Sequence, residues 1–374
     1  MKPIYLDYAA ATPIDLRVAT KMLECLTTTS GFGNPASLHA YGREARALIE
    51  AARAQVATTI QADPSELIWT SGATESINLA LKGIAALYKH KGKHIVTMKT
   101  EHKAVLDTCQ HLEKEGFAVT YLSPEPNGLL DILKLKAALR ADTILVSIMH
   151  VNNETGVIQD INAIAALTSE RQIFFHVDAA QSIGKVNVDV TNTPLDLLSL
   201  SAHKVYGPKG IGALYIRKKP RVRVAPLIHG GGHEQGMRSG TLPTHQIVGM
   251  GEAYDIARRE WRQDDERIRQ LRDDFLLNLR GIKNLQMNAD VSHSVPHILN
   301  IRLEGMMADV ILSALPHIAA STASACQAQG ADASHVLRAM GLNTEQIKSS
   351  LRFSFGRFTT EEEIVVASKA LLFS

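Results

Sequence analysis

The sequence predicts an α/β fold: a wound, largely parallel sheet followed by a smaller α+β unit. Three observations carry this reading. Short, almost continuously apolar runs recur through the first two-thirds of the chain. Segments of helical periodicity lie between the earlier ones. A long charged amphipathic stretch then marks a change of pattern near residue 260. Strands that alternate with helices at this spacing form parallel βαβ units, and such sheets bind ligands at the carboxyl ends of their strands.

Taken in order, the buried strands are predicted at ELIWTSG (66–72), KHIVTMK (93–99), ADTILVSIMH (141–150), RQIFFHVD (171–178), LDLLSLSAHK (195–204) and GIGALYI (210–216). Helices are predicted between them, as in SINLALKGIAALYKH and DILKLKAALRA. The segment beginning GTLPTHQIVGMG and ending FLLNLRG has the pattern of a connecting helix. Beyond it, SHVLRAMG reads as a helix ended by Gly341. In SSLRFSFG, strand alternation puts Leu351, Phe353 and Phe355 on one face and Arg352 and Ser354 on the other. The last helix opens on a capping box from Thr360 to Glu363.

Composition narrows the function. The chain has 374 residues, 45% hydrophobic and 21% charged, and a formal net charge of +2. That balance gives no reason to expect nucleic acid or a membrane as the main ligand. Cys25, Cys109 and Cys326 cannot make a disulfide framework, so a reducing compartment is expected. MKPIYLDYAAATP has no apolar core of a signal peptide, and no apolar run is long enough to span a bilayer. A soluble cytoplasmic protein is the expectation.

Several motifs fail on context. GFGNPA (31–36) follows a helical stretch rather than a strand, so it reads as a turn and not a dinucleotide loop. HGGG (229–232) has no accompanying G-x-S-x-G elbow. His229 and His233 straddle three glycines, unsuited to a helix presenting metal ligands, and no metal is expected.

Three loops at predicted strand ends work together. In TSGATES, Gly72, Ala73 and Thr74 open a helix, whose free N–H groups and Thr hydroxyl suit a phosphate. In FFHVDAAQ, Asp178 ends an apolar strand, where a carboxylate needs a cationic partner such as a protonated ring nitrogen. In SLSAHKVYGPKG, Lys204 ends another buried strand beside Ser201 and His203, and a desolvated lysine there can form a Schiff base. Each loop alone has a plain structural reading: a turn, a salt bridge, a surface lysine. Together they meet the needs of pyridoxal 5'-phosphate. His102, after the 93–99 strand, adds an imidazole able to stack on the cofactor ring, and Gln181 could donate to its phenolic oxygen.

The motifs YLDYAAATP, GNPASLH, TSGATES, TEHKAVL, VNNETG, VDAAQSIGK, SAHKVYGPKGIGALY, HGGGHEQGMRSGT and LRFSFGRFTTEEE resemble those of NifS/IscS-type cysteine desulfurases, in order from Tyr5 to about Ile364. These are pyridoxal-phosphate enzymes of fold type I. The resemblance implies a large domain over 15–258 with a seven-stranded sheet, and a small domain made of 1–14 and 259–374. It implies that Lys204 holds the cofactor as a Schiff base, Asp178 pairs its pyridine nitrogen, Gln181 contacts its phenolic oxygen, and His102 stacks and shuttles protons. Ala73, Thr74, Ser201 and His203 would hold the phosphate, joined by Thr241 from a second subunit, which makes the active unit a homodimer. Asn153 and Arg352 would bind the carboxylate of L-cysteine; a bidentate arginine on the polar strand face suits that role. Cys326, in STASACQAQGAD, would take the sulfur as a persulfide and pass it to an acceptor protein, leaving alanine.

Two other readings compete: an aminotransferase or selenocysteine lyase on the same scaffold, and a silent sulfur-relay protein. The chain also departs from housekeeping members. Ala323 stands where glycine is common, Gln327 and Gln329 follow the cysteine, Gln235 stands where arginine is common, and the sequence ends at Ser374 without the usual scaffold-docking tail. A dedicated acceptor, in DNA phosphorothioation or tRNA thiolation, is therefore the expectation.

Overall fold

The computed structural model describes residues 3–27, 30–322 and 334–372. Cys326 and its neighbours Ala323, Gln327 and Gln329 lie outside the described residues.

The predicted apolar runs all become strands. In chain order these are β1 (Ile4–Tyr5), β2 (Leu67–Thr70), β3 (His94–Met98), β4 (Ala118–Leu122), β5 (Thr143–Met149), β6 (Phe174–Asp178), β7 (Leu197–Ser201) and β8 (Gly212–Ile216). Then come β9 (Leu285–Met287), β10 (Ile298–Leu303), β11 (Ile318–Ala319), β12 (Ser321–Thr322) and β13 (Ser350–Ser354). The main sheet has seven strands in the order β2-β8-β7-β6-β5-β3-β4. Only β8 runs against its neighbours, pairing antiparallel with both β2 and β7. The strand missing from the list of apolar runs is β4, an edge strand whose residues are mostly half-exposed. Its partly exposed residues break the apolar run, whereas β2, the other edge strand, is buried throughout and reads as one.

Helices sandwich this sheet. They are α1 (Leu16–Glu24), α2 (Ala40–Ile60), α3 (Ala73–Tyr88), α4 (Lys103–Lys114), α5 (Ile132–Ala138), α6 (Ile161–Glu170) and α7 (Thr244–Asn278). One core layer joins Ile68, Ile95 and Leu145 of the sheet to α3 and α4. The opposite layer joins Trp69, Val146, Phe175 and Val177 to α2, α6 and the first half of α7.

The expected connecting helix is α7, which runs about 50 Å over its 35 residues. Ile247, Met250 and Tyr254 pack into the first core, while Ile268, Leu271 and Phe275 belong to a separate one. That second core lies against an antiparallel sheet ordered β12-β13-β10-β9. It also takes in α8 (Ala308–Ala314) and α11 (Glu361–Leu372). Leu351, Phe353 and Phe355 enter this core together, as strand alternation predicts. The short helices α9 (His335–Ala339) and α10 (Thr344–Lys348) precede β13, and Gly341 follows α9 at φ +96°. The capping box of α11 is formed: Thr360 N–H donates to Glu363 Oε2 at 3.0 Å and Glu363 N–H to Thr360 Oγ1 at 3.2 Å.

The amino terminus reaches the second sheet. β1 pairs parallel with β11, and Asp7 bridges to Ser354. The next turn, Ala9 and Ala10, is thereby held over the carboxyl ends of β6 and β7. Among the described residues no helix is long and apolar enough to cross a membrane.

Candidate active site

The predicted loops converge because β2, β3, β5, β6 and β7 all point the same way. Gly72 to Thr74 follow β2, His102 follows β3, Asn153 follows β5, Asp178 ends β6 and Lys204 follows β7. The returning strand β8 starts at this same edge with Gly212. A Cβ on Gly212 would lie 2.5 Å from the Leu200 carbonyl and 2.6 Å from Gly72 Cα. Glycine is required there to let the α3 loop approach the sheet.

The α3 N-terminus has no side-chain cap, so its first N–H groups remain available. Ala73 is half-buried and Thr74 exposed. Glu75 in the first turn is occupied elsewhere, accepting from Ser71 N–H at 2.7 Å and from Arg238 at 2.9 Å. On the facing loop, Ser201 Oγ and His203 Nδ1 are 2.9 Å apart. Burial, with Lys204 close by, pushes the His203 pKa down to about 4, so its ring is neutral at physiological pH. Thr12 fastens this loop by donating through N–H and Oγ1 to the His203 carbonyl at 2.9 and 3.0 Å.

Lys204 is half-buried, and its Nζ donates to the Ala9 and Ala10 carbonyls at 2.5 and 2.8 Å. Gln181 shares this anchor, its Nε2 donating to the Ala9 carbonyl at 2.8 Å. Its Oε1 is buried without a partner among the described residues, and one N–H of the amide remains. Asp178 is 4% exposed and accepts from Ala180 N–H at 3.0 Å. Burial raises its pKa, while His102, the Ala180 N–H and Lys204 pull it back. Among the described residues it forms no ion pair. His102 caps α4, its Nδ1 accepting from Ala104 N–H at 3.1 Å, which leaves the hydrogen on Nε2. The ring has a solvent-facing surface yet stands in a dense recess: the burial lowers its pKa, opposed mainly by Asp178.

Arg352 is 4% exposed on β13. Its Nη2 donates to Asp7 Oδ1 at 2.7 Å and Ser321 Oγ at 3.0 Å, and its Nη1 to the Asn153 carbonyl at 2.9 Å. Its Nε is buried without a partner among the described residues. Asn153 thus meets Arg352 through its backbone. The turn carrying Asn153 is built by Asn152, whose Oδ1 accepts from the N–H groups of Glu154 and Thr155 at 2.9 and 3.0 Å.

Thr241 is exposed in the loop before α7, on the chain's surface. Cys25 and Cys109 are both buried, as expected of packing thiols, and burial pushes Cys109 up to about 12. Sequence reasoning passed over Asp7, the counter-ion of Arg352; an acid inside YLDY, between apolar and aromatic residues, is the signal. It also passed over Glu101, fully buried beside His102. Glu101 Oε1 accepts from Met149 N–H at 2.9 Å, and burial raises its pKa well above the ordinary carboxylate value.

An uncapped helix start, a desolvated acid without an ion pair and an amide oxygen without a partner among the described residues, and a lysine amine stand at one edge of the sheet. These fit pyridoxal phosphate: donors for its phosphate, Asp178 for its ring nitrogen and Lys204 for its aldehyde. Residues 4–366 match the aminotransferase class-V family model. The chain belongs to that family, among its NifS/IscS-type cysteine desulfurases. It is 57% identical over 368 residues to cysteine desulfurase IscS of Stutzerimonas stutzeri, covering 98% of this chain and 91% of the relative. The solved structure of a NifS-like protein superposes with TM-score 0.93 at 35% identity, covering 99% and 98% of the two chains. SspA, solved in complex with cysteine, superposes with TM-score 0.85 at 38% identity over 96% and 100%. As a member of this family the chain uses pyridoxal phosphate.

Proposed function

We infer that the chain converts L-cysteine to L-alanine and carries the released sulfur on Cys326 to an acceptor protein. The observation that carries this is Asp178: a 4%-exposed acid that forms no ion pair among the described residues, at the same sheet edge as Lys204 and His102. When bound, pyridoxal phosphate withdraws electrons from the substrate α-carbon. The chain's own groups do the rest. Ala73 and Thr74 of α3, with Ser201, His203 and a partner subunit's copy of Thr241, hold the phosphate; the active unit is a homodimer. Gln181 offers its remaining N–H to the phenolic oxygen. Arg352, braced by Asp7 and Ser321, takes the substrate carboxylate together with the Asn153 side chain.

Freed from the cofactor, the Lys204 amine moves a proton at the α-carbon, with the Ala9 and Ala10 carbonyls fixing its reach. His102 stacks on the ring and presents Nε2–H; it takes up a proton only when its 3.1 Å bond from Ala104 N–H opens or the tautomer exchanges. The Cys326 thiolate then attacks the substrate sulfur. A sulfur–sulfur bond forms, the carbon–sulfur bond breaks, and its electron pair takes a proton to give alanine. Residues 15–258 form the cofactor-binding domain, and 1–14 with 259–374 the domain that carries Arg352 and Cys326.

The acceptor is a dedicated one, in DNA phosphorothioation or tRNA thiolation, on the strength of Ala323, Gln327 and Gln329 around the cysteine. The IscS name of the 57%-identical relative favours a second reading, general iron–sulfur assembly. Radiolabelled sulfur delivered to an iron–sulfur scaffold at the rate of a housekeeping enzyme selects the second reading; slow delivery there selects the first. For the activity itself, borohydride reduction followed by peptide mapping must place the pyridoxyl group on Lys204. Cys326→Ala must stop sulfide release from L-cysteine, and full activity in that variant overturns the persulfide route.

A further inference from the structure

Lys185 lies in the chain between Asp178 and β7, and its side chain is 9% exposed. As an ammonium its Nζ has three hydrogens, for which the structure supplies one acceptor, the Lys204 carbonyl at 3.4 Å. His297, just before β10, is 4% exposed, and its Nδ1 is buried without a hydrogen-bond partner among the described residues. Both residues line one cavity of about 20 Å³, flanked by Tyr8, Tyr206, Trp261 and Phe355. Thr12, Lys204 and Val205 also line it, so it adjoins the Lys204 loop, whereas His102, Asp178 and Gln181 do not line it.

The charges around this cavity do not cancel. Asp264 is held by Arg357 at 2.8 Å, and Asp265 by Arg269 at 2.9 Å. Asp265 also stands 3.9 Å from His297 Nδ1, too far for a hydrogen bond. Lys204 acts on Lys185, and Lys185 and Arg269 act on His297, and among the described residues no carboxylate pairs with Lys185. A buried ammonium without a counter-charge is costly. Room for a water-sized body needs roughly 10–15 Å³ measured this way, so the cavity takes one such body and excludes a tetrahedral oxyanion. A neighbouring cleft of about 290 Å³ shares Ile183, Gly184, Ala257 and Trp261 with the cavity and carries Arg258 on its wall.

We propose that this cavity is a binding site for a single monoatomic anion of chloride size, held by Lys185 Nζ and His297 Nδ1–H behind the Lys204 loop. Burial brings the Lys185 pKa down to about 7, with Lys204 adding to the effect. Anion binding therefore carries proton uptake and strengthens as pH falls from 8.5 to 6.5. The ion would link the Lys204 loop to the strand that enters the second sheet.

The test uses the cofactor-loaded protein. Crystals grown in sodium bromide should show an anomalous peak within hydrogen-bonding range of both nitrogens; no peak there overturns the proposal. In solution, thermal unfolding is followed at fixed ionic strength with bromide exchanged for gluconate. Above its Kd, bromide should raise Tm by about 2 °C per tenfold, more at pH 6.5 than at pH 8.5. Lys185→Met should abolish that dependence while leaving general salt effects. An equal bromide response in Lys185→Met, or none in the native protein, overturns it. The crystallographic result needs no variant and decides the matter if Lys185→Met fails to fold.

Discussion

Arg352→Lys is the substitution that most directly tests how the substrate is held. The variant keeps a positive charge opposite Asp7, so the buried pair at 2.7 Å is replaced rather than orphaned. What it loses is the planar fork. In the native chain Nη1 and Nη2 are positioned by Asn153, Asp7 and Ser321, and a bidentate carboxylate takes the fork by displacing one of the two Nη2 contacts. An ammonium offers one point contact, and the second charge-assisted bond disappears. Such a bond contributes about 2–3 kcal/mol in a dry site, which converts to a roughly 30- to 150-fold fall in kcat/KM for L-cysteine. Most of that fall should enter KM, because the carboxylate is bound equally in ground and transition states. The assay is steady-state alanine formation, with cofactor occupancy read from visible absorption. Occupancy should be unchanged, since no phosphate or ring contact is altered. A kcat/KM within threefold of the native value, at full occupancy, refutes the assignment of Arg352 to the carboxylate.

The other predictions concern different parts of the chain. Iodoacetamide at pH 8 should label Cys326 first and Cys109 last, because burial holds the Cys109 thiol near 12; peptide mass spectrometry gives the order, and early labelling of Cys109 contradicts its packing role. Gly212→Ala should weaken cofactor binding by about tenfold or more, since overpacking of 1–3 kcal/mol falls on the Gly72 loop; equilibrium dialysis of the cofactor measures it. Acid should destabilise the fold through buried imidazoles. His150 and His176 are held at about 4 and about 3 by burial, below the unfolded value of about 6.5. Their neutral forms stabilise the protein above pH 6.5, and that stability is lost as pH falls towards the folded values. Between pH 7 and pH 5 each removes about 2 kcal/mol, readable in urea midpoints; a flat profile over that range refutes the burial argument.

The main sheet and the residues at its edge were legible because their signals are local. A strand covered on both faces must be apolar throughout, and a charged residue at the end of such a run has few structural uses. Asp178 and Lys204 stand out in FFHVD and SLSAHK for that reason. β4 was missed because its residues are mostly half-exposed and break the apolar run, and Asp7 because its partner Arg352 lies 345 residues away. Gln181 was only half legible. Its position past Asp178 marked it for the ring, but nothing local indicated that one amide hydrogen would be committed to Ala9 at 2.8 Å.

Lys185 shows the limit of that reasoning most clearly. In QSIGK it is one lysine among many, whereas Lys204 is marked by a strand and flanking glycines. Yet Lys185 is the more buried of the two, and its amine approaches the backbone of Lys204. Its surroundings come from Tyr8, α7, the residue before β10 and the end of β13, segments spread over the whole chain. A desolvated amine is therefore created by tertiary closure, not by the pattern around it. The same closure ties Ala9 and Ala10 to the Lys204 side chain on the other side of the loop. The reactive lysine is thus gripped from both sides by contacts that form only when the two sheets come together. Substitutions that loosen α7 against the second core should cost cofactor affinity before they cost substrate affinity at Arg352.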